Sequence, residues 1–234
     1  MQLKSLTMVR HGESTANAAL AVAQHAGEAE FDRNTRDPDT PLSELGREQA
    51  AAVGAWLAGQ PVPDTILTSP YVRARQTADI ALRSAAHTPL PVPTPPFPPI
   101  RQDERLRDRE NGLLRGLTAS GIQQRFPIEH RERNRLGRFY YRPPGGESWT
   151  DVALRLRTLL PELEGHVLVF AHDIIVVLTH YILANLDEPT ILTLESANRV
   201  ANASVTRWDR TDSGLQLTSY NNTSHLTSSP TPDI

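Results

Sequence analysis

The sequence contains no cysteine and a single lysine, Lys4, in 234 residues. Without cysteine there is no disulfide framework, no thiolate nucleophile and no cysteine-based zinc site, a composition that fits a reducing compartment. With one lysine, arginine carries almost all the positive charge, which reads as the bias of a GC-rich genome and carries no functional information. No apolar run approaches the length of a membrane span, and the N-terminus lacks the apolar stretch of a secretory signal. A cytoplasmic protein without a membrane partner is expected. No His-Glu-x-x-His occurs, and His172 and His180 lack the spacing of a helical metal pair, so neither a metal nor a cofactor is expected. A formal net charge of −3 gives no reason to expect nucleic acid. Nothing in the sequence indicates an oligomeric state.

What is present is organised around Leu6-Thr7-Met8-Val9-Arg10-His11-Gly12-Glu13-Ser14. Leu3 to Val9 is apolar and of strand length, and Ser14 introduces an alanine-rich segment, so the pattern reads strand, tight loop, helix. Such a loop offers backbone N–H groups and the positive end of a helix to an anion. Arg10 adds a permanently charged fork of donors, His11 is a candidate nucleophile, and Gly12 permits close approach of the backbone to a ligand.

The rest alternates. Ser43 is placed to cap a helix carrying Leu45, Ala52, Val53, Trp56 and Leu57 at helical spacing, with Gly59 at its end. Asp64 to Leu67 reads as a second strand, and Tyr71 to Ala86 as a helix with Arg73 and Arg75 in its first turn. Seven of the eleven residues from Pro89 to Pro99 are proline, which predicts a stiff extended spacer. From Arg101 to Arg142 eleven arginines stand against six acidic side chains, a stretch that can rim a pocket and draw in anions. Thr118 to Phe126 reads as a short helix and Gly137 to Gly146 as a loop. Ser148 caps a helix with Val152, Leu156, Leu159 and Leu160. His166 to Ala171 is a buried strand ending at His172, and Ile174 to Leu186 an apolar helix. Ser204 to Asp209 and Leu215 to Tyr220 form a hairpin. The long loop from Gly27 to Thr40 suits an active-site flap or a surface excursion.

Strands alternating with helices predict a three-layer α/β/α sandwich with a mainly parallel sheet and an antiparallel edge. Residues 1–220 are expected to form one catalytic domain with a loop or cap region at about 89–148, and 221–234 a disordered tail. In such a sheet the ends bearing Arg10-His11, Arg73 and His172 share one edge, which suits phosphoryl transfer.

These residues carry a family resemblance. The motifs are Arg10-His11-Gly12-Glu13-Ser14 with Asn17, Leu42-Ser43-Glu44-Leu45-Gly46-Arg47-Glu48-Gln49-Ala50, and Thr68-Ser69-Pro70-Tyr71-Val72-Arg73-Ala74-Arg75-Gln76-Thr77-Ala78. Leu106-Arg107-Asp108-Arg109-Glu110-Asn111-Gly112, Gly145-Gly146-Glu147-Ser148 and Ala171-His172 follow in order. The chain resembles the histidine phosphatase superfamily, also called phosphoglycerate mutase-like, over roughly residues 1–210. The resemblance implies a metal-independent phosphomonoester hydrolase of the histidine acid phosphatase type, or a phosphoglycerate mutase, acting on a small phosphorylated substrate. It implies His11 as the nucleophile that becomes phosphohistidine, with Arg10, Arg73, His172 and Asn17 binding phosphate. Asp108 falls at the proton-donor position, where glutamate is more usual, with Glu104 and Glu110 as competitors. Asp173 stands where glycine commonly follows the second histidine. A carboxyl group beside bound phosphate is expected to have a raised pKa. The histidines His25, His87, His130, His166 and His180 are expected at the surface or in packing.

Overall fold

The computed structural model describes residues 2–32, 34–88 and 96–226. Its centre is a six-stranded sheet: β1 (Leu3–Arg10), β2 (Thr65–Thr68), β3 (Ile100–Gln102), β4 (Gly165–Ala171), β5 (Val205–Thr211) and β6 (Gly214–Asn222), in the order β3-β2-β4-β1-β5-β6. The first four of that order run parallel, and β5 and β6 form the antiparallel edge. The expected α/β architecture is therefore present, mixed and mainly parallel.

The central strands are buried on both faces, and their alternation divides the core in two. Leu6 and Met8 of β1 and Val167, Val169 and Ala171 of β4 point to one side. There they pack with α6 (Trp149–Leu159) and α7 (Asp173–Leu183) through Val152, Leu156, Ile175 and Leu178. Val9, Ile66, Leu168 and Phe170 point to the other side. There α2 (Glu44–Ala58) and α3 (Val72–His87) supply Val53, Leu57, Ala78 and Ala81. Helices α1 (Thr15–Ala26), α4 (Ala119–Arg125), α5 (Pro127–Tyr140) and α8 (Glu188–Ala197) complete the described set.

Caps set where the helices begin. Ser14 and Asn17 form a reciprocal capping box at α1, Ser148 and Asp151 another at α6, and the Ser43 hydroxyl accepts from the Gly46 N–H at α2.

Two expectations need correction. Gly137 to Gly146 is not all loop: α5 continues to Tyr140, and Gly137 (φ 76°) kinks it. Only Phe139 of α5 is buried, so the helix lacks the apolar periodicity that would reveal it. The tail begins later than residue 221, because β6 extends to Asn222 and a 3-10 turn spans Ser224–Leu226. That turn is anchored by His225, whose Nε2 lies 3.0 Å from the Ala203 carbonyl, and by Leu226 against the α2/α3 side of the core. Residues 227–234, and residues 89–95 of the proline-rich spacer, lie outside the described residues. The segment after the spacer adds the edge strand β3, which no sequence pattern announced. No helix among the described residues is long and apolar enough to cross a membrane.

Candidate active site

Strands β2, β4 and β1 are neighbours, and their register brings their carboxyl ends level: Arg10 pairs with Ala171 and Thr68 with Phe170. The residues that follow, His11, Ser69 and His172, therefore meet, and α3 delivers Arg73 into the same space. All the sequence-predicted ligands line or border one cavity of about 630 Å3, of which Arg10, His11, Asn17, Arg73 and Asp108 form part of the wall. His172 is fully buried behind it, with its ring edge-on to His11 and to Tyr71 at 5.2 Å between centroids.

The orientation of His11 is set by its own loop. Its Nδ1 is 2.7 Å from the Gly12 carbonyl, which can only accept, so Nδ1 carries the proton and Nε2 presents a lone pair. Arg73 Nε stands 3.3 Å from that Nε2. Burial, reinforced by the charges of Arg73 and Arg10 and by His172, holds the His11 pKa well below the usual histidine range. Burial and the charges of Arg73, Arg10 and Arg155 do the same to His172. Both rings are neutral in the free site at neutral pH.

Arg73 is almost wholly buried and spends its donors in three directions. NH1 meets the Asp37 carbonyl at 2.8 Å and Asp37 Oδ1 at 3.1 Å, NH2 meets Asp108 Oδ2 at 2.8 Å, and Nε faces His11. Asp108 also accepts the Arg109 backbone N–H through Oδ1 and lies 3.4 Å from His172 Nδ1. Burial pushes the Asp108 carboxyl up, but the Arg73 guanidinium and the Arg109 N–H more than offset it and hold it below the ordinary carboxylate range. The free site thus differs from the raised value expected with phosphate bound: here the arginine, without a competing anion, favours the ionised form. Asp37 goes the other way, raised by burial against the opposing pull of Arg73.

Two buried nitrogens at the site have no hydrogen-bond partner, Arg10 Nε and His172 Nδ1. Arg10 NH1 is tied to the Val200 carbonyl at 2.6 Å and NH2 lies 3.8 Å from Asp173, so the unpartnered Nε is a donor available to an oxyanion. Asn17 uses its Oδ1 for Ser14 and Asn202, which leaves its amide nitrogen for a ligand. Of the competing acids, Glu110 accepts from the Tyr71 hydroxyl at 2.5 Å, and neither Glu110 nor Glu104 lines the cavity. Among the described residues no group of three or more His, Asp or Glu side chains is placed to hold a metal.

Gly12 also permits a close approach within the protein. A Cβ there would overlap the Gly46 carbonyl, and a Cβ on Gly46 would overlap the Glu13 carbonyl. That close approach is between this loop and the start of α2. Two side chains reinforce it: Gln49 accepts the Glu13 N–H at 2.8 Å, and Thr77 accepts the Gly12 N–H at 3.0 Å. Sequence reasoning missed Asp37 and Ser69, whose hydroxyl is 2.8 Å from His172 Nε2. The length and acidity of the loop from Gly27 to Thr40 were the only signal for the first.

A parallel sheet whose central strand ends bring a neutral histidine and two arginines to one cavity defines an enzyme site for an anionic group. Residues 6–223 match the histidine phosphatase superfamily (branch 1), and the chain belongs to that superfamily. It is 33% identical over 174 residues, 71% of this chain and 69% of the relative, to a 2,3-bisphosphoglycerate-dependent phosphoglycerate mutase of Gloeobacter violaceus. It is 34% identical over 166 residues, 70% of this chain and 61% of the relative, to the glucosyl-3-phosphoglycerate phosphatase of Mycobacterium tuberculosis. A solved structure of the mycobacterial glucosyl-3-phosphoglycerate phosphatase, in complex with VO3, superposes with a TM-score of 0.68 at 26% identity, covering 94% of this chain and 100% of that one. The 6-phosphofructo-2-kinase/fructose-2,6-bisphosphatase of Caenorhabditis elegans is 31% identical over 73% of this chain, which spans about a third (32%) of that relative's length.

Proposed function

We propose that the protein is a metal-independent phosphatase that hydrolyses phosphate monoesters through a phosphohistidine on His11. The observation that carries this reading is the fixed tautomer of His11: a neutral imidazole with its Nε2 lone pair beside the Arg73 guanidinium. The phosphate group takes the unpartnered Arg10 Nε, the Nε–NH2 edge of Arg73, His172 Nδ1 and the Asn17 amide, donors that match the charge spread over the three equatorial oxygens in the transition state.

In the first step His11 Nε2 attacks phosphorus, the ester P–O bond breaks, and Asp108 gives its proton to the leaving oxygen. Asp108 is ionised in the free site, so it acquires that proton as the phosphate dianion arrives, repels the carboxylate and takes over its bond to Arg73. In the second step a water attacks phosphorus, the P–N bond breaks, and Asp108 accepts the water's proton. A floor carrying Arg10 and Arg73 repels a cation, which supports chemistry that uses fixed guanidinium groups for charge stabilisation.

The cavity volume, about 630 Å3, is that of a site for a whole small molecule rather than phosphate alone. Its outer lining includes Arg109, Arg115, Arg133, Arg138 and Arg199, which favours an anionic phosphorylated substrate. The reading is tested by quenching turnover of a 32P-labelled monoester in alkali: label should remain on wild-type protein in acid-labile form and be absent from His11→Ala. Phosphate release persisting at wild-type rates in folded His11→Ala would refute it.

A further inference from the structure

The loop from Gly27 to Thr40 reaches Arg73 through Asp37. We infer that Asp37 is a positioning residue of the phosphate site, holding the outer edge of Arg73 so that its Nε–NH2 edge is presented to the phosphoryl group on His11. This inference rests on the phosphatase reading, because it concerns how that group is met.

The argument is geometric. An arginine grips phosphate bidentately through one edge of its fork, and a contact that fixes the other edge preorganises that grip. Both NH1 contacts of Arg73 belong to Asp37, one to the backbone carbonyl at 2.8 Å and one to Oδ1 at 3.1 Å. The Nε and NH2 contacts, to His11 Nε2 and Asp108 Oδ2, lie on the side where bonds form and break. When phosphate displaces Asp108 from NH2, Asp37 is what remains to hold the guanidinium.

Asp37 is itself well fixed. Pro38 follows it in a 3-10 turn (Asp37–Asp39) whose Thr40 N–H returns to the Asp37 carbonyl. Upstream, the loop is stitched to the cavity wall: the Phe31 N–H donates to the Gly116 carbonyl at 2.9 Å, the Thr118 N–H to the Ala29 carbonyl at 3.1 Å, and the Thr118 hydroxyl to the Glu28 carbonyl at 2.7 Å. A Cβ on Gly121 would overlap the Ala29 carbonyl, so α4 and the loop touch backbone to backbone. Phe31 and Leu117 line the outer cavity, while Asp37 reaches its floor. The loop is thus tied to the cavity wall at Glu28, Ala29 and Phe31, and to Arg73 at Asp37.

The role differs from that of a proton donor, and the experiment separates the two. Asp37→Ala should lower kcat for p-nitrophenyl phosphate and for a simple alkyl phosphate by the same factor, about 10- to 100-fold, with a smaller change in KM. Asp37→Asn keeps an oxygen acceptor for NH1 and should recover most of that loss. Vanadate inhibition should weaken in Asp37→Ala in step with kcat, since vanadate mimics the transition state. Thermal unfolding of both variants separates lost geometry from lost fold. A wild-type kcat in Asp37→Ala overturns the inference and leaves the phosphatase reading standing, as does a selective loss on alkyl phosphates, which would make Asp37 an acid. Absence of turnover and of vanadate binding in the wild-type protein overturns both.

Discussion

The Cα of Gly12 faces the carbonyl oxygen of Gly46 with no room for a methyl group between them. The loop that carries His11 is thus set by backbone contact with the first turn of α2. Gly12→Ala should destabilise the fold by about 1–3 kcal/mol, the usual range for overpacking, and should lower activity by more than the lost stability explains. Urea denaturation and kcat of the same preparation check this; unchanged stability with full activity would contradict the contact.

That contact also shows what could be read from the sequence. The near-continuous apolar runs at Leu6 to Val9 and Val167 to Ala171 are legible as central strands, because a strand buried on both faces needs apolar side chains at successive positions rather than at alternate ones. From parallel strands the meeting of His11, Arg73 and His172 follows. The motifs around Ser43 to Ala50 and Ala74 to Ala78 were legible as patterns but not as function. Gly46, Gln49, Gln76 and Thr77 hold loops in place, through contacts that join residues tens of positions apart. Asp37 was illegible for the same reason. Nothing local distinguishes it from Asp39, which pairs on the surface with Arg36 while Asp37 reaches Arg73. Helix α5 was missed because it buries one side chain, and hydrophobic periodicity cannot report a helix that is mostly solvated and arginine-rich.

The two neutral, buried histidines make stability depend on pH. An unfolded histidine binds a proton as pH falls through about 6.5, whereas folded His11 and His172 stay neutral to well below that value. Acid therefore favours the unfolded chain. Unfolding free energy should rise with pH up to about 6.5, with each histidine contributing at most about 1.4 kcal/mol per pH unit below it. Urea unfolding between about pH 5 and pH 7 measures the slope, and His172→Gln should flatten it. A slope unaffected by that substitution would mean that His172 is protonated in the fold.

Asp108 makes a prediction about leaving groups. Asp108→Asn removes the proposed proton donor but keeps an acceptor for the Arg109 N–H and a neutral neighbour for Arg73. Alkyl phosphates, whose leaving oxygen must be protonated, should slow by about 10²- to 10⁴-fold, and aryl phosphates much less. Measured kcat values for a matched pair decide it. Equal slowing of both, or a selective effect in Glu110→Gln instead, would move the acid elsewhere.

Whether the phosphoryl group goes to water or back to the substrate separates phosphatase from mutase, and identity to relatives does not choose: a mutase and a phosphatase stand at 33% and 34%. A mutase must retain a bisphosphorylated intermediate and exclude water until the second transfer, which calls for an enclosing segment and additional cations placed for a second phosphate. The glycolytic mutases, as the resemblance implies, carry a lysine-bearing insertion for this. Here the only lysine, Lys4, is exposed at the start of β1, the opposite end of the strand from His11. Between Asp108 and His172 the chain supplies arginines on α5 and no lysine. Water should therefore reach the phosphohistidine. Net phosphate release is expected without added bisphosphoglycerate, unaffected by chelators and inhibited by vanadate, whose five-coordinate form resembles the phosphoryl transition state. Release assays with 2- and 3-phosphoglycerate, run beside an assay for their interconversion, give the answer. Rapid interconversion with little free phosphate would assign the site to a mutase, and the arginines of α5 would then be the groups that hold the second phosphate.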